Sequence, residues 1–160
     1  MMKACLIIFT SALCILSLEI EAQAIADHPI SGTIFLAGEK YLEFDDILYI
    51  HGFIAPTSRI NRYKTFKILY KNKIRVISLS AIRYIRIDKF QSGLGQKGEQ
   101  VIKNLSLKVE TKTRTVFEMP YYELNWALVM TYDSKSGLIV ERKIPFHKDG
   151  KLNIQKIVFD

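Results

Sequence analysis

Apolar and polar positions alternate along most of the chain, the period of half-buried β-strands. The clearest run is YYELNWALVMTYD, from Tyr121 to Asp133. Tyr122, Leu124, Trp126, Leu128, Met130 and Tyr132 fall on one face, and Tyr121, Glu123, Asn125, Ala127, Val129, Thr131 and Asp133 on the other. A helix would scatter both sets. The pattern assigns Trp126 to the core beside Leu124, Leu128 and Met130, and leaves Tyr121 as the more available ring. DSKSG then reads as a hairpin connection, and LIVERKIPF as the return strand, with Leu138, Val140, Arg142, Ile144 and Phe146 on one side. In HKDGK, Asp149-Gly150 supplies the positive-φ positions of a tight turn. The last strand, LNIQKIVF, loses its alternation between Ile154 and Ile157, which predicts a bulge near Gln155–Lys156.

The same grammar holds upstream. VIKNLSLKVE sets Val101, Lys103, Leu105, Leu107 and Val109 against Ile102, Asn104, Ser106, Lys108 and Glu110. TRTVFEM is a short strand stopped by Pro120, which cannot donate to a ladder. GTIFLAG and DILYIHGFI are earlier strands, APTSRINR connects them to the next, and QSGLGQKGEQ (91–100) reads as the one long loop. These runs make roughly ten strands and no helix of ordinary length, so the expected fold is all-β, an antiparallel sandwich or barrel. A single domain over residues 25–160 is expected. The loop at 91–100 marks a possible sub-division, with two small abutting barrels as the alternative and the first ending near Phe90.

The first 24 residues break the pattern. Lys3 makes a short basic start, an apolar run extends from about Ala4 to Leu18, and a small-x-small site follows at Ala22-Gln23-Ala24. This order is that of a secretory signal peptide, and the apolar run is short for a membrane span. Cleavage after Ala24 is expected, with the product periplasmic or extracellular and without a transmembrane span. Both cysteines, Cys5 and Cys14, lie in this segment. The exported chain then has no disulfide, no thiolate metal site and no cysteine nucleophile. Leu13 stands where a small residue precedes a lipidated cysteine, which disfavours an anchor on Cys14.

Charge changes the picture most between Lys64 and Lys89, KTFKILYKNKIRVISLSAIRYIRIDK. The formal net charge of the chain is +7. Residues 25–56 hold Lys40 against Asp27, Glu39, Glu43, Asp45 and Asp46, whereas residues 57–90 hold Asp88 as their only acid among many cations. Such asymmetry creates a field that attracts anions. TFKILYK and KIRVISLS pair as a hairpin turning at Asn72-Lys73, with Tyr70 opposite Arg75, Ile68 opposite Ile77 and Phe66 opposite Leu79. One face is then apolar enough for core. The other mixes Lys67, Lys71 and Ser78 with Leu69, Ile74 and Val76, which suggests a contact surface. Next, SAIRYIRI reads as one helical or 3₁₀ turn opened by Ser80, then a strand through Ile87. The run IRVISLSAIRYIRI is loosely similar to strand–turn–strand pieces of small SH3-like barrels, over a short stretch that carries no functional residue across.

The candidate binding residues are therefore Lys64, Lys67, Lys71, Lys73, Arg75, Arg83 and Arg86. An acidic protein or an anionic envelope component is the expected partner, and nucleic acid is not, because an exported protein rarely meets it. Lysines at strand ends and hairpin tips also protect sheet edges, so part of this charge is ordinary solvated surface.

Catalytic patterns are weak. His28, His51 and His147 share no metal-ligand spacing, and no HExxH or GxSxG occurs. The acids of EKYLEFDD (Glu39, Glu43, Asp45 and Asp46) could serve as paired carboxylates or Ca²⁺ ligands, but they match no EF-hand loop and read as a solvated turn before the strand at Ile47. Asn104 begins an NLS sequon. The leading expectation is an exported, non-enzymatic binding module without a cofactor. The alternative is a lipocalin-like barrel carrying a small apolar ligand, although the Gly-x-Trp cue of lipocalins is absent.

Overall fold

A computed structural model of the protein describes residues 28–52, 64–71, 73–98, 100–119 and 124–160. The expected signal segment, the connection at 55–62, Asn72, Pro120 and Tyr121–Glu123 lie outside these residues. Within them the chain is all-β, with one short 3₁₀ turn and no α-helix. No helix among the described residues is long and apolar enough to cross a membrane.

Thirteen strands occur in the order β1 (Gly32–Leu36), β2 (Lys40–Phe44), β3 (Asp46–Gly52), β4 (Thr65–Tyr70), β5 (Lys73–Ser78), β6 (Ile82–Leu94), β7 (Gln100–Thr111), β8 (Val116–Met119), β9 (Leu124–Asp133), β10 (Leu138–Pro145), β11 (His147–Lys148), β12 (Lys151–Leu152) and β13 (Ile154–Phe159). They form four antiparallel sheets: a six-stranded one in the order β2-β1-β13-β6-β7-β8, a three-stranded one in the order β10-β9-β3, and the two pairs β11-β12 and β4-β5. The sheets are open and do not close into a barrel. The six-stranded sheet takes strands from both sides of residues 91–100.

One buried apolar cluster draws on both large sheets and on the β4–β5 hairpin. It includes Ile34, Ile47, Phe66, Ile68, Ile85, Val109, Val129, Phe146 and Ile157. Burial of each such side chain contributes about 1.5–3 kcal/mol relative to exposure, which is what holds the small sheets together. The alternation expected in β7 holds where it can be followed: Leu105, Leu107 and Val109 are buried, and Ser106, Lys108 and Glu110 are not. The bulge expected near Gln155 is present, since Phe35 pairs with Lys156 and Leu36 skips to Ile154. Asp149 and Gly150 take φ of 52° and 70° at the β11–β12 turn.

Other expectations need correction. EKYLEFDD is not a solvated turn: Lys40–Phe44 is a strand paired along its whole length with β1. Gly38 and Glu39, at φ 77° and 60°, turn the chain tightly enough for that pairing. The long loop is also shorter than expected. Gln91 pairs with Asn104, Ser92 with Ile102 and Leu94 with Gln100, so the β6–β7 ladder runs on and only residues 95–99 connect it. The 3₁₀ turn spans Leu79–Ala81 and is capped by Ser78, whose hydroxyl accepts from Ser80 N, rather than opened by Ser80.

Gly32 is required by close approach rather than by a turn. A Cβ there would lie 2.1 Å from the Val158 carbonyl oxygen and 2.8 Å from the Phe44 ring.

Candidate functional site

The β4–β5 hairpin grows out of Lys64. This residue has φ 54° and is 5% exposed. Its ammonium pairs with Asp46 at 3.0 Å and donates to the His28 carbonyl at 2.5 Å. Its backbone N–H donates to Leu48 O, and its carbonyl accepts from Leu79 N. Asp46 in turn accepts from Ile30 N at 2.8 Å. Lys64 thus ties the start and end of the hairpin to β3 and to the segment preceding β1. Of the acids of residues 39–46, Asp46 meets the basic region in this buried pair. Lys64 is therefore a structural cation and not part of the solvent-facing group.

The hairpin turns one residue earlier than expected. Tyr70 pairs with Lys73, Ile68 with Arg75 and Phe66 with Ile77, so the two connecting residues are Lys71 and Asn72. Lys71 takes φ 48°, the left-handed conformation that a two-residue hairpin loop requires. Each partner shifts by two positions, which preserves the faces. Phe66 and Ile68 are buried against the core, and Tyr70 meets the Phe117 ring of β8 edge-on at 5.3 Å. Arg75 and Lys71 lie 5.2 Å and 5.3 Å from the Tyr70 ring centroid, within cation–π range. The opposite face is open: Leu69, Ile74 and Val76 are 42%, 58% and 52% exposed. Lys67 shares this face and Lys71 sits at its turn, whereas Lys73 and Arg75, paired with Tyr70 and Ile68, project from the opposite face; the two strands contain no carboxylate.

Arg83 and Arg86 belong to a different surface. Both are on β6, in the middle of the six-stranded sheet. Arg83 donates to Glu110 at 2.7 Å, and Arg86 to Asp88 at 3.2 Å. Lys156, Arg86, Lys108 and Glu118 form a row across four neighbouring strands. Lys108 and Glu118 are 3.0 Å apart, and that contact raises the lysine's pKa. The Arg83 guanidinium, followed by the Tyr84 hydroxyl, holds the Glu110 carboxyl below the usual carboxylate range, while the same hydrogen bond raises Tyr84. Carboxylates thus answer Arg83, Arg86 and Lys108 on this sheet. Lys64 apart, the candidate residues form two groups: Arg83 and Arg86 on β6, and Lys67, Lys71, Lys73 and Arg75 on the hairpin, whose strands carry no acid.

The assignment of Trp126 to the core is overturned. On β9 the buried residues are Leu124, Ala127, Val129 and Thr131, whereas Trp126, Leu128 and Met130 are half-buried and Tyr132 is exposed. Both faces of this strand are apolar, so periodicity gave the strand but could not choose its inner face. The slip between Leu124 and Trp126 comes from the irregular pairing with β3 at His51–Gly52. Trp126 instead joins an outward aromatic group. His51 stacks on it at 5.1 Å and 11°, Tyr49 meets it edge-on at 5.2 Å, and Lys143 lies 4.3 Å from its ring centroid. Asn125 Nδ2 donates to His51 Nδ1 at 2.9 Å. Tyr49 and His51 alternate in LYIHG, the one trace of this group in the sequence.

No cluster of three or more metal-ligating side chains occurs among the described residues. Glu39 lies at a turn, Glu43 in β2 opposite Thr33, and Asp46 in the buried pair, so these acids do not converge on one site. An open cleft of about 740 Å³ between the β1–β2 hairpin and β10 is lined by Leu36, Tyr41, Leu42, Arg142, Lys143 and Ile144, among others. No known protein family matches the chain, and no curated protein or solved structure matches it significantly.

Proposed function

We propose that this protein is an exported, non-enzymatic β-domain that works by binding an acidic protein partner through the β4–β5 hairpin. The observation that carries the reading is the hairpin itself: three exposed apolar side chains on one face, Lys73 and Arg75 on the other and Lys71 at the turn, on strands without a single acid. Apolar area supplies contact energy, and the charge of Lys71, Lys73 and Arg75 selects an acidic partner and speeds its approach. Export follows from the order of basic, apolar and small-residue segments before Ala24, with the mature chain starting at Ile25. In this reading the six- and three-stranded sheets pack as a sandwich that holds the hairpin at its margin.

The test is a triple charge reversal, Lys71→Glu, Lys73→Glu and Arg75→Glu, on the exported protein. Loss of a salt-sensitive partner from the variant, with unchanged circular dichroism, supports the reading. Undiminished retention sinks it. A second reading, a carrier for a small apolar ligand, is favoured only by the cleft beside β10. That reading requires a retained small molecule that the charge reversal does not disturb.

A further inference from the structure

β5 pairs with β4 and with no other strand among the described residues. The two-residue loop makes Tyr70 and Lys73 a hydrogen-bonded pair, and such pairs alternate along an antiparallel ladder. Arg75 and Ile77 therefore spend their backbone groups on Ile68 and Phe66. Ile74 and Val76 occupy the intervening pairs with Leu69 and Lys67, so their N–H and C=O groups point away from β4. The residues that offer a free backbone edge are thus the ones whose apolar side chains are also exposed.

We propose that β5 is a template for strand addition, and that its occupant is an extended polypeptide segment in which acidic and apolar residues alternate. This rests on the hairpin reading above and specifies how the partner is held. Main-chain bonds to Ile74 and Val76 supply affinity, as in other edge-strand recognition. Apolar side chains of the segment sit beside Ile74 and Val76 and extend the apolar face that these share with Leu69. Its carboxylates, on the other face, meet Lys73 and Arg75. Charge also decides against a second copy of this chain as occupant. Antiparallel pairing of two β5 strands would bring the Lys73 and Arg75 side chains of both copies together, and like charges on facing strands are destabilising. An uncovered, apolar edge is a liability that proteins otherwise blunt.

The test uses a capped peptide of four Glu-Val repeats and its isomer with the glutamates and valines in separate blocks. Heteronuclear NMR and amide exchange on the full protein are the readouts. The alternating peptide is expected to bind more tightly and to slow exchange at the Ile74 and Val76 amides. Val76→Pro removes an outward N–H, a substitution that edge strands tolerate, and should weaken binding about tenfold, the worth of one backbone hydrogen bond in register. Equal binding of both peptides with no amide protection would overturn strand addition and leave the charge reading standing. Binding that survives Lys71→Glu, Lys73→Glu and Arg75→Glu would overturn both. Absence of binding by either peptide at millimolar concentration would overturn the proposal, and the amide-exchange result on the parent decides it even if Val76→Pro fails to fold.

Discussion

Replacing Lys64 with methionine keeps most of the side-chain volume and removes the ammonium. The two partners left behind are Asp46, whose side chain is 19% exposed, and the His28 carbonyl. Lys64 itself has a side chain only 7% exposed, so water cannot replace it without opening the hairpin base. Removing one member of a buried ion pair costs about 3–5 kcal/mol, and the partial exposure of Asp46 places this case near about 3 kcal/mol. For a chain of this size each kcal/mol corresponds to roughly 3 °C, so the melting temperature should fall by about 10 °C. The assay is urea unfolding followed by circular dichroism, with a thermal melt alongside. The double variant Lys64→Met/Asp46→Asn should recover part of the loss, with a coupling energy above about 1 kcal/mol. A Lys64→Met change below about 0.5 kcal/mol would refute the reasoning, because that is the cost of an ordinary surface substitution. Such a result would also return Lys64 to the pool of solvent-facing cations.

Gly32→Ala should destabilise by about 1–3 kcal/mol or more, since the new methyl group meets the Val158 carbonyl and the strand cannot yield without losing its pairing; an unchanged denaturation midpoint would contradict the close approach. Glu110 contributes stability that is present above the ordinary carboxylate pKa and is lost as pH falls through its lowered folded value. Arg83→Gln should therefore move the Glu110 titration upward in ¹³C NMR. Tyr84 behaves in the opposite sense: its stabilisation is present below the unfolded tyrosine pKa and is lost as pH rises through the raised folded value. Glu110→Gln should accordingly lower the Tyr84 pKa. The single tryptophan, Trp126, should be quenched readily by iodide, since it is half-buried beside Lys143; a fully shielded emission would restore it to the core.

Much of the fold was legible where one face of a strand is clearly apolar. β7 and the hairpin faces follow from alternation alone, because a one-residue slip would expose buried groups, and in β13 the break in alternation marked the bulge. The signal was ambiguous in β9, where Ala127 and Val129 compete with Trp126 and Leu128, and pairing with β3 and β10 decided the inner face. β2 was hidden because KYLEF is mostly exposed and its acids read as loop. The end of β6 was hidden because QSGL is strand only by virtue of its partner. The hairpin's register turned on Lys71 adopting a left-handed conformation, which no lysine advertises. The candidate site was legible as a composition and not as a geometry. Nothing local separates buried Lys64 from exposed Lys73, because its pairing with Asp46 joins residues far apart in sequence.

The most direct test of the hairpin as the functional surface is native mass spectrometry of the exported protein, purified gently from its own host, for the parent and the Lys71→Glu/Lys73→Glu/Arg75→Glu variant side by side. The account predicts an acidic polypeptide bound to the parent, displaced by salt and missing from the variant. The same companion on both proteins, or a small apolar mass held equally by both, would contradict it.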